Sequence, residues 1–62
     1  MTLFIVMVDV DNGMERYSTT KHIFASNADN AKRFVGDYYR IRGDITHVIE
    51  VQPIIPHEGL ML

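Results

Sequence analysis

The side chains that could carry acid–base or metal chemistry are three histidines and eight carboxylates, and the chain has no cysteine. His22 and His47 lie in two segments with β-strand patterning, in phases that place their imidazoles on opposite sides of a sheet, away from a shared metal ion. His57 and Glu58 are neighbours in a proline-flanked segment, where adjacent side chains usually diverge. No glycine-rich phosphate loop is present. We therefore expect no catalytic residue, no cofactor and no metal site.

A site formed between subunits is the remaining route to an enzyme, because a domain of this size has no sequestered pocket of its own. The sequence contains no constellation that would supply such a site with a nucleophile or a matched acid and base. We expect a protein that is not an enzyme, with a site between subunits as the third hypothesis.

Basic and aromatic residues near the end of the predicted helix make RNA or single-stranded DNA binding the alternative hypothesis. Tyr39 could stack on a base while Arg40 and Arg42 contact phosphates. Acidic and basic residues alternate along the helix at spacings of three or four, which pairs them with each other: Asp29, Arg33, Asp37 and Arg40. The chain has six lysines and arginines against eight acidic residues, so no basic stripe remains. Nucleic acid is therefore not the expected partner.

The length of 62 residues suits one small domain whose hydrophobic burial only just offsets chain entropy. Without cysteine, no disulfide can stabilise it, which leaves oligomerisation as a usual remedy. The apolar run over residues 4–10 is interrupted by Asp9 and has no basic leader before it, so we expect neither a signal peptide nor a membrane span. These features predict a cytoplasmic protein without a membrane partner.

The dipeptide Asn12-Gly13 predicts a tight two-residue turn between two antiparallel strands. In the resulting register Asp9 faces Arg16 as a cross-strand ion pair. One face of this hairpin is expected to form the core, and it carries Phe4, Val6, Val8 and Val10 beside Glu15, Tyr17, Thr19, Lys21 and Ile23.

An amphipathic helix is predicted to follow, with Ser26 as its N-cap, Asp29 as the capping-box acid and Gly43 as a left-handed C-terminal cap. At 100° per residue its apolar side chains share one arc of roughly 160°: Ala28, Ala31, Phe34, Val35, Tyr38, Tyr39 and Ile41. We expect this arc, with Tyr38 at its middle, to pack on the sheet.

Residues 45–52 alternate as a third strand with Ile45, Ile49 and Val51 facing inward, and Pro53 marks its end. Right-handed crossover connections place the first strand between the other two. The predicted fold is α+β in the order β-β-α-β, with a three-stranded antiparallel sheet of strand order 2-1-3 and one helix on one face, a split β-α-β arrangement. Residues 1–52 are expected to form this domain, and residues 53–62 an extended C-terminal tail.

The sheet face away from the helix is expected to show an apolar stripe inside a polar rim, as protein interfaces do. The predicted interface residues lie on this face and in the tail: Leu3, Ile5, Met7, Phe24, Val48, Ile54, Ile55, Leu60 and Leu62. We expect the chain to self-associate as a homodimer, with two copies packed sheet to sheet or joined edge to edge by the second or the third strand. We also expect it to act on another protein as an adaptor or inhibitor. Short domains without a catalytic motif are typical of phages and mobile elements that block host machinery, which would place this one in the host cytoplasm.

Overall fold

The computed structural model describes residues 1–61, so the predicted interface residue Leu62 lies outside the described residues. Its elements are β1 (Thr2–Asp11), β2 (Arg16–Ala25), α1 (Ala28–Ile41) and β3 (Ile45–Pro53). The three strands form one antiparallel sheet in the order β2-β1-β3. The predicted α+β fold with the first strand at the centre is therefore confirmed.

The core lies between β1 and α1. Alternate residues of a strand point to the same face, and the four apolar residues of β1 that face the helix are all buried: Phe4, Val6, Val8 and Val10. The helix adds Ala31, Val35 and Tyr39, while Ile23, Val48 and Val51 pack at the border of this cluster. The predicted core face of β1 is confirmed.

The loop between β1 and β2 is wider than the predicted two-residue turn. Asn12 Oδ1 accepts hydrogen bonds of 2.9 Å from the backbone N–H groups of both Met14 and Glu15, and Gly13 adopts a positive φ of 88°. An asparagine side chain that binds backbone groups ahead of it stabilises such a turn locally. The strands consequently begin to pair only outside residues 12–15.

The wider loop shifts the strand register by two residues from the predicted one. A shift of two leaves every side chain on its predicted face, because the side-chain period is two. Arg16 pairs with Asp11, and Asp9 pairs with Ser18, whose hydroxyl donates a hydrogen bond to the Asp9 carboxylate. The predicted Asp9–Arg16 ion pair is therefore wrong.

The N-cap of α1 is Asn27 and not Ser26. Asn27 Oδ1 accepts a 2.8 Å hydrogen bond from the backbone N–H of Asn30, which satisfies one of the free donors of the first turn. Ser26 instead accepts a hydrogen bond from the side-chain amide of Asn30 at 2.7 Å. The cap therefore lies one residue later than predicted, and Asp29 lies in the first turn.

The C-terminus of α1 ends as predicted, at a glycine in the left-handed region. Gly43 has φ of 85°, and its N–H donates to the carbonyl of Arg40 at 2.9 Å, while the N–H of Asp44 donates to the carbonyl of Tyr39 at 3.0 Å. This pair of bonds is the Schellman motif, which satisfies carbonyls that the helix leaves free.

The buried arc of α1 is narrower than predicted. Ala31, Val35 and Tyr39 are buried, but Phe34 is exposed and Tyr38 is 46% exposed. The helix contacts β3 more extensively than β2, so its flank above β2 stays open. The prediction that Tyr38 packs in the core was wrong because periodicity gives the direction of a side chain and not the lateral position of the helix.

A β-bulge interrupts β3 at Ile49. Met7 pairs with Glu50, but the next residue, Val8, pairs with Val48, so Ile49 has no partner on β1. One extra residue in a strand reverses the alternation of its side chains between the two faces. The faces of the first half of β3 are therefore the opposite of those predicted.

This reversal corrects three predictions for β3. Val48 packs against the core, whereas Ile45 is 73% exposed and Ile49 is exposed as well. His47 pairs with Asp9 on the open side of the sheet. Only Val51, beyond the bulge, keeps its predicted inward direction.

The residues after β3 continue beside the start of β1. The N–H of Ile54 donates to the carbonyl of Leu3 at 2.7 Å, and the Ile54 side chain is buried. Farther on, the N–H of Leu60 donates to the carbonyl of His57 at 3.1 Å. Pro53 therefore does not end the contact with β1.

Two glycine substitutions should change the free energy of unfolding in opposite directions. A Cβ at Gly36, inside α1, would meet only Thr46 Oγ1 at 3.9 Å, so Gly36→Ala should stabilise the fold by up to about 1 kcal/mol. Gly43→Ala should destabilise it by about 1 kcal/mol, because alanine is strained at φ of 85°. Urea denaturation measures both, and a stabilising Gly43→Ala would contradict the Schellman geometry.

Candidate functional site

The sheet face opposite α1 carries an apolar stripe along β1, formed by Leu3, Ile5 and Met7 and called here the open-face stripe. Leu3 and Ile5 are half-buried, and Met7 is 40% exposed. No helix or strand of residues 1–61 lies over this face. Phe24 sits opposite Leu3 on β2 and is exposed. The stripe is thus an apolar surface that is partly exposed and that no helix or strand of the described residues covers.

Polar side chains border the stripe on both neighbouring strands. The residues that pair with Ile5 and Met7 on β2 and β3 are all polar and exposed: His22, Thr20, Gln52 and Glu50. On β3, the Gln52 amide also donates a hydrogen bond to the Glu50 carboxylate. An apolar centre with a hydrated polar rim is the usual composition of a protein–protein interface.

The stripe continues into an apolar groove at the end of the sheet where the chain begins. This terminal groove encloses about 560 Å³. It is lined by Met1, Thr2, Leu3, Phe24, Ile54, Ile55, Pro56 and Leu60. Since Leu3 belongs to both surfaces, the open-face stripe and the terminal groove form one contiguous apolar area.

The structure brings most of the predicted interface residues to this area but not all of them. Ile5 and Met7 lie in the stripe, and Leu3, Phe24, Ile55 and Leu60 line the terminal groove. Val48 packs against the core, and Ile54 lines the terminal groove but is 8% exposed, so neither is an exposed contact of the described chain. The bulge explains the position of Val48, and the hydrogen bond to Leu3 explains that of Ile54.

Beyond Met7 the open face is polar, apart from Ile45 at the start of β3. The hydroxyl of Ser18 donates to the carboxylate of Asp9, and His47 flanks Asp9 on the other side. A nucleophilic serine requires its proton to be directed at a base such as an imidazole, which a carboxylate then orients. Here the Asp9 carboxylate lies between Ser18 and His47. The three side chains therefore do not form a serine–histidine–carboxylate relay.

His22 and His47 share this open face, which corrects the prediction that they point to opposite sides. Their partners on β1 are Ile5 and Asp9, which are about 13 Å apart along the strand. Among residues 1–61, no group of three or more His, Cys, Asp or Glu side chains could hold a metal ion.

A second groove of about 380 Å³ lies between α1 and β2. It is lined by Lys21, His22, Ile23, Phe34, Val35 and Tyr38. Two cations contact the ring of Tyr38: Lys21 Nζ lies 5.6 Å and Arg42 Cζ 4.5 Å from the ring centroid, both within cation–π range. The sequence did not predict this flank groove because it placed Tyr38 in the core.

The predicted nucleic-acid contacts are only partly available. Tyr39 is 4% exposed, so its ring cannot stack on a base. Arg40 Nη2 lies 2.9 Å from Asp37 Oδ1, which uses its charge within the helix. Arg42 remains on the surface, and the exposed ring beside it is that of Tyr38.

Aspartate substitutions on the two faces of β3 should lower the free energy of unfolding by different amounts. Val48→Asp should lower the free energy of unfolding by about 2 kcal/mol or more, because it brings a carboxylate against the core. Ile45→Asp is the matched control: the side chain is exposed, and even with Asp11 directly opposite the loss should stay within about 1 kcal/mol. Equal losses in urea denaturation would contradict the bulge at Ile49.

No helix in the described part of the chain is long and apolar enough to cross a membrane. Comparisons with protein-family models, with curated proteins and with solved structures found no match. Function is therefore inferred from the surfaces of the chain itself.

Proposed function

We propose that this chain is a non-enzymatic protein-interaction module that self-associates and binds another protein through the open face of its sheet, as an adaptor or inhibitor. The observation that carries the proposal is the contiguous apolar area made by the open-face stripe and the terminal groove. It runs from Met7 through Leu3 to Leu60. Contiguous apolar surface with a polar border is where soluble domains bind partners.

The shape of the open face favours a protein as the occupant. Sites for small molecules are concave and bury most of the ligand, whereas the open face is a broad sheet surface that no helix or strand of residues 1–61 encloses. Each apolar side chain of the stripe would gain stability on burial, at roughly 25 cal/mol per Å² removed from water. The rim residues Thr20, His22, Glu50 and Gln52 would supply hydrogen bonds that fix the orientation of the partner.

The small size of the domain supports the proposed self-association. The described residues form one small core, and the 62 residues contain no cysteine that could add a disulfide. Pairing with a second copy buries more surface, and no further residues have to lose conformational entropy by folding. Adaptor or inhibitor activity then needs no chemistry, because occupation of a partner surface is sufficient.

A lysine in the stripe should weaken binding of the partner. Met7→Lys interrupts the apolar area, while Glu50 directly opposite gives the new cation a cross-strand partner that preserves the sheet. Met14→Lys is the matched control, since Met14 is 95% exposed in the loop. Tagged wild-type chain and both variants are used to capture proteins from the native host, and the captured protein is purified and titrated.

The proposal expects the wild-type chain and Met14→Lys to bind the purified partner alike, and Met7→Lys to bind it at least about tenfold more weakly, a difference of about 1.4 kcal/mol. Circular dichroism confirms that the variants are folded. Equal affinity of Met7→Lys and the wild type would show that the open face is not the binding surface.

A second candidate function is binding of single-stranded nucleic acid at the flank groove. The observation that favours it is the position of Lys21 and Arg42 around the exposed ring of Tyr38. In single-strand binding sites, cations contact phosphates and aromatic rings stack on bases. The groove offers both in one place.

This second candidate predicts weak, salt-dependent binding of a labelled oligouridylate. Two phosphate contacts would give a slope of log affinity against log salt of about −1.4. Tyr38→Ala should weaken binding about fivefold or more through the lost stacking, whereas Lys32→Gln, which removes a cation paired with Asp29, should change it little. Fluorescence anisotropy without binding at low salt would reject nucleic acid as a ligand.

A further inference from the structure

The two edges of the sheet differ in their ability to pair with another strand. β3 is irregular, with a bulge at Ile49 and a proline at position 53. β2 pairs with β1 without interruption from Arg16 to Ala25, and it contains neither a bulge nor a proline. Regular, unprotected edges are the ones that accept a further strand. The edge available for pairing is therefore β2.

One hydrogen bond fixes which backbone groups of β2 point outward. The carbonyl of Leu3 accepts from Ile54 on the β3 side, so the backbone groups of its neighbour Phe4 point toward β2. Phe4 pairs with Ile23, whose backbone groups therefore point back to β1. By alternation, the outward N–H and C=O groups belong to the other residues of β2: Arg16, Ser18, Thr20, His22 and Phe24.

We propose that two copies of the chain pair their β2 strands antiparallel about a two-fold axis at Thr20, which joins their sheets into one of six strands. This inference deepens the proposed function, on whose self-association it rests, by naming the edge and the register. The partner is a second copy because β2 complements its own sequence in this register, as an interface about a two-fold axis requires.

Charge selects this register. Two residues that lie opposite each other in an antiparallel pair must both direct their backbone groups toward the other strand or both direct them away from it. The two residue numbers therefore differ by an even number, and the two-fold axis passes through a residue. The two registers with the longest overlap have Thr20 or Lys21 on the axis. The second would set two lysine side chains directly opposite each other, which is unfavourable. The first sets Lys21 opposite Thr19 of the second copy.

The remaining pairs of the Thr20 register are also complementary. On the helix side Tyr17 lies opposite Ile23, an aromatic and β-branched pair of the kind that stabilises sheets. On the open face Arg16 lies opposite Phe24, which is exposed in the single chain and can accept a cation over its ring. No pair brings together two charges of the same sign.

The position of the helix leaves room for this pairing. Because α1 lies toward β3, the region above β2 is open, and three aromatic side chains are exposed around it: Tyr17, Phe34 and Tyr38. In the six-stranded sheet, Tyr17 of the second copy would pack against Ile23 and form the outer wall of the flank groove. That groove is incomplete in the single chain.

Pairing would also enlarge the proposed binding surface. Ten residues at 3.3 Å and three strands at 4.8 Å give each open face a projected area of roughly 480 Å². Typical stable interfaces bury about 800 Å² on each partner. Two faces side by side in one sheet would present roughly 950 Å².

Charges of either sign introduced at the two-fold axis test the register. Thr20 is exposed, so Thr20→Lys and Thr20→Glu should both fold, as circular dichroism can verify. Each should weaken the dimer about fivefold, because like charges meet on the axis, and an equimolar mixture should restore dimerisation as a heterodimer. Gln52→Lys and Gln52→Glu, with the same charges on the β3 edge, are the controls and should dimerise like the wild type.

A disulfide provides a second readout. The chain has no cysteine, so a single introduced cysteine can only form an intermolecular disulfide. In the Thr20 register the two copies of Thr20→Cys would have Cα atoms about 5.5 Å apart, within disulfide range. The two copies of Lys21→Cys would lie diagonally, at about 7–8 Å, and should oxidise more slowly.

Sedimentation across a dilution series distinguishes the outcomes. Dimers weakened by either Thr20 charge and restored by the mixture support the proposal. If the Thr20 charges leave the dimer affinity unchanged, β2 is not the pairing edge, although self-association itself stands. If Lys21→Cys oxidises faster than Thr20→Cys, the proposed register is wrong. A wild-type chain that stays monomeric at every concentration overturns both this inference and the proposed self-association.

Discussion

The packing of β1 against α1 is the interaction on which the other features of this domain depend. β1 pairs with a strand on each side and buries alternate residues beneath the helix. Because strand side chains alternate, the same packing fixes Leu3, Ile5 and Met7 on the opposite face. A single helix of 14 residues covers one face only. The apolar surface is therefore a consequence of strand alternation beneath one helix and not a local irregularity.

The features of the fold that follow from simple periodicity could be predicted from the sequence, and those set by single side chains or single residues could not. Alternation along β1 identified its core face, and Gly43 identified the helix end. The width of the hairpin loop depends on two hydrogen bonds to the side chain of Asn12, which a dipeptide rule does not contain. The bulge at Ile49 is a single unpaired residue, and it reversed the faces of Val48 and Ile45.

The candidate site was predictable to the same extent. Leu3, Ile5 and Met7 follow directly from the alternation of the most apolar strand. The flank groove depends on where the helix lies across the sheet, which is a tertiary property. For that reason the sequence selected Tyr39 for nucleic-acid contact, although Tyr39 is buried and Tyr38 is the exposed ring. Successive side chains of a helix point in directions 100° apart, so a small lateral shift of α1 decides whether Tyr38 or Tyr39 is exposed.

The irregularity of β3 bears on aggregation. In the proposed dimer both β2 edges are consumed, and the six-stranded sheet is bounded at each end by β3. The bulge at Ile49 disrupts the spacing of its outward backbone groups, and Pro53 has no N–H to donate. A third copy would find no regular edge to extend, so sheet growth would end at two copies instead of continuing into a fibril. In that dimer, the least regular strand would keep a small apolar domain from polymerising.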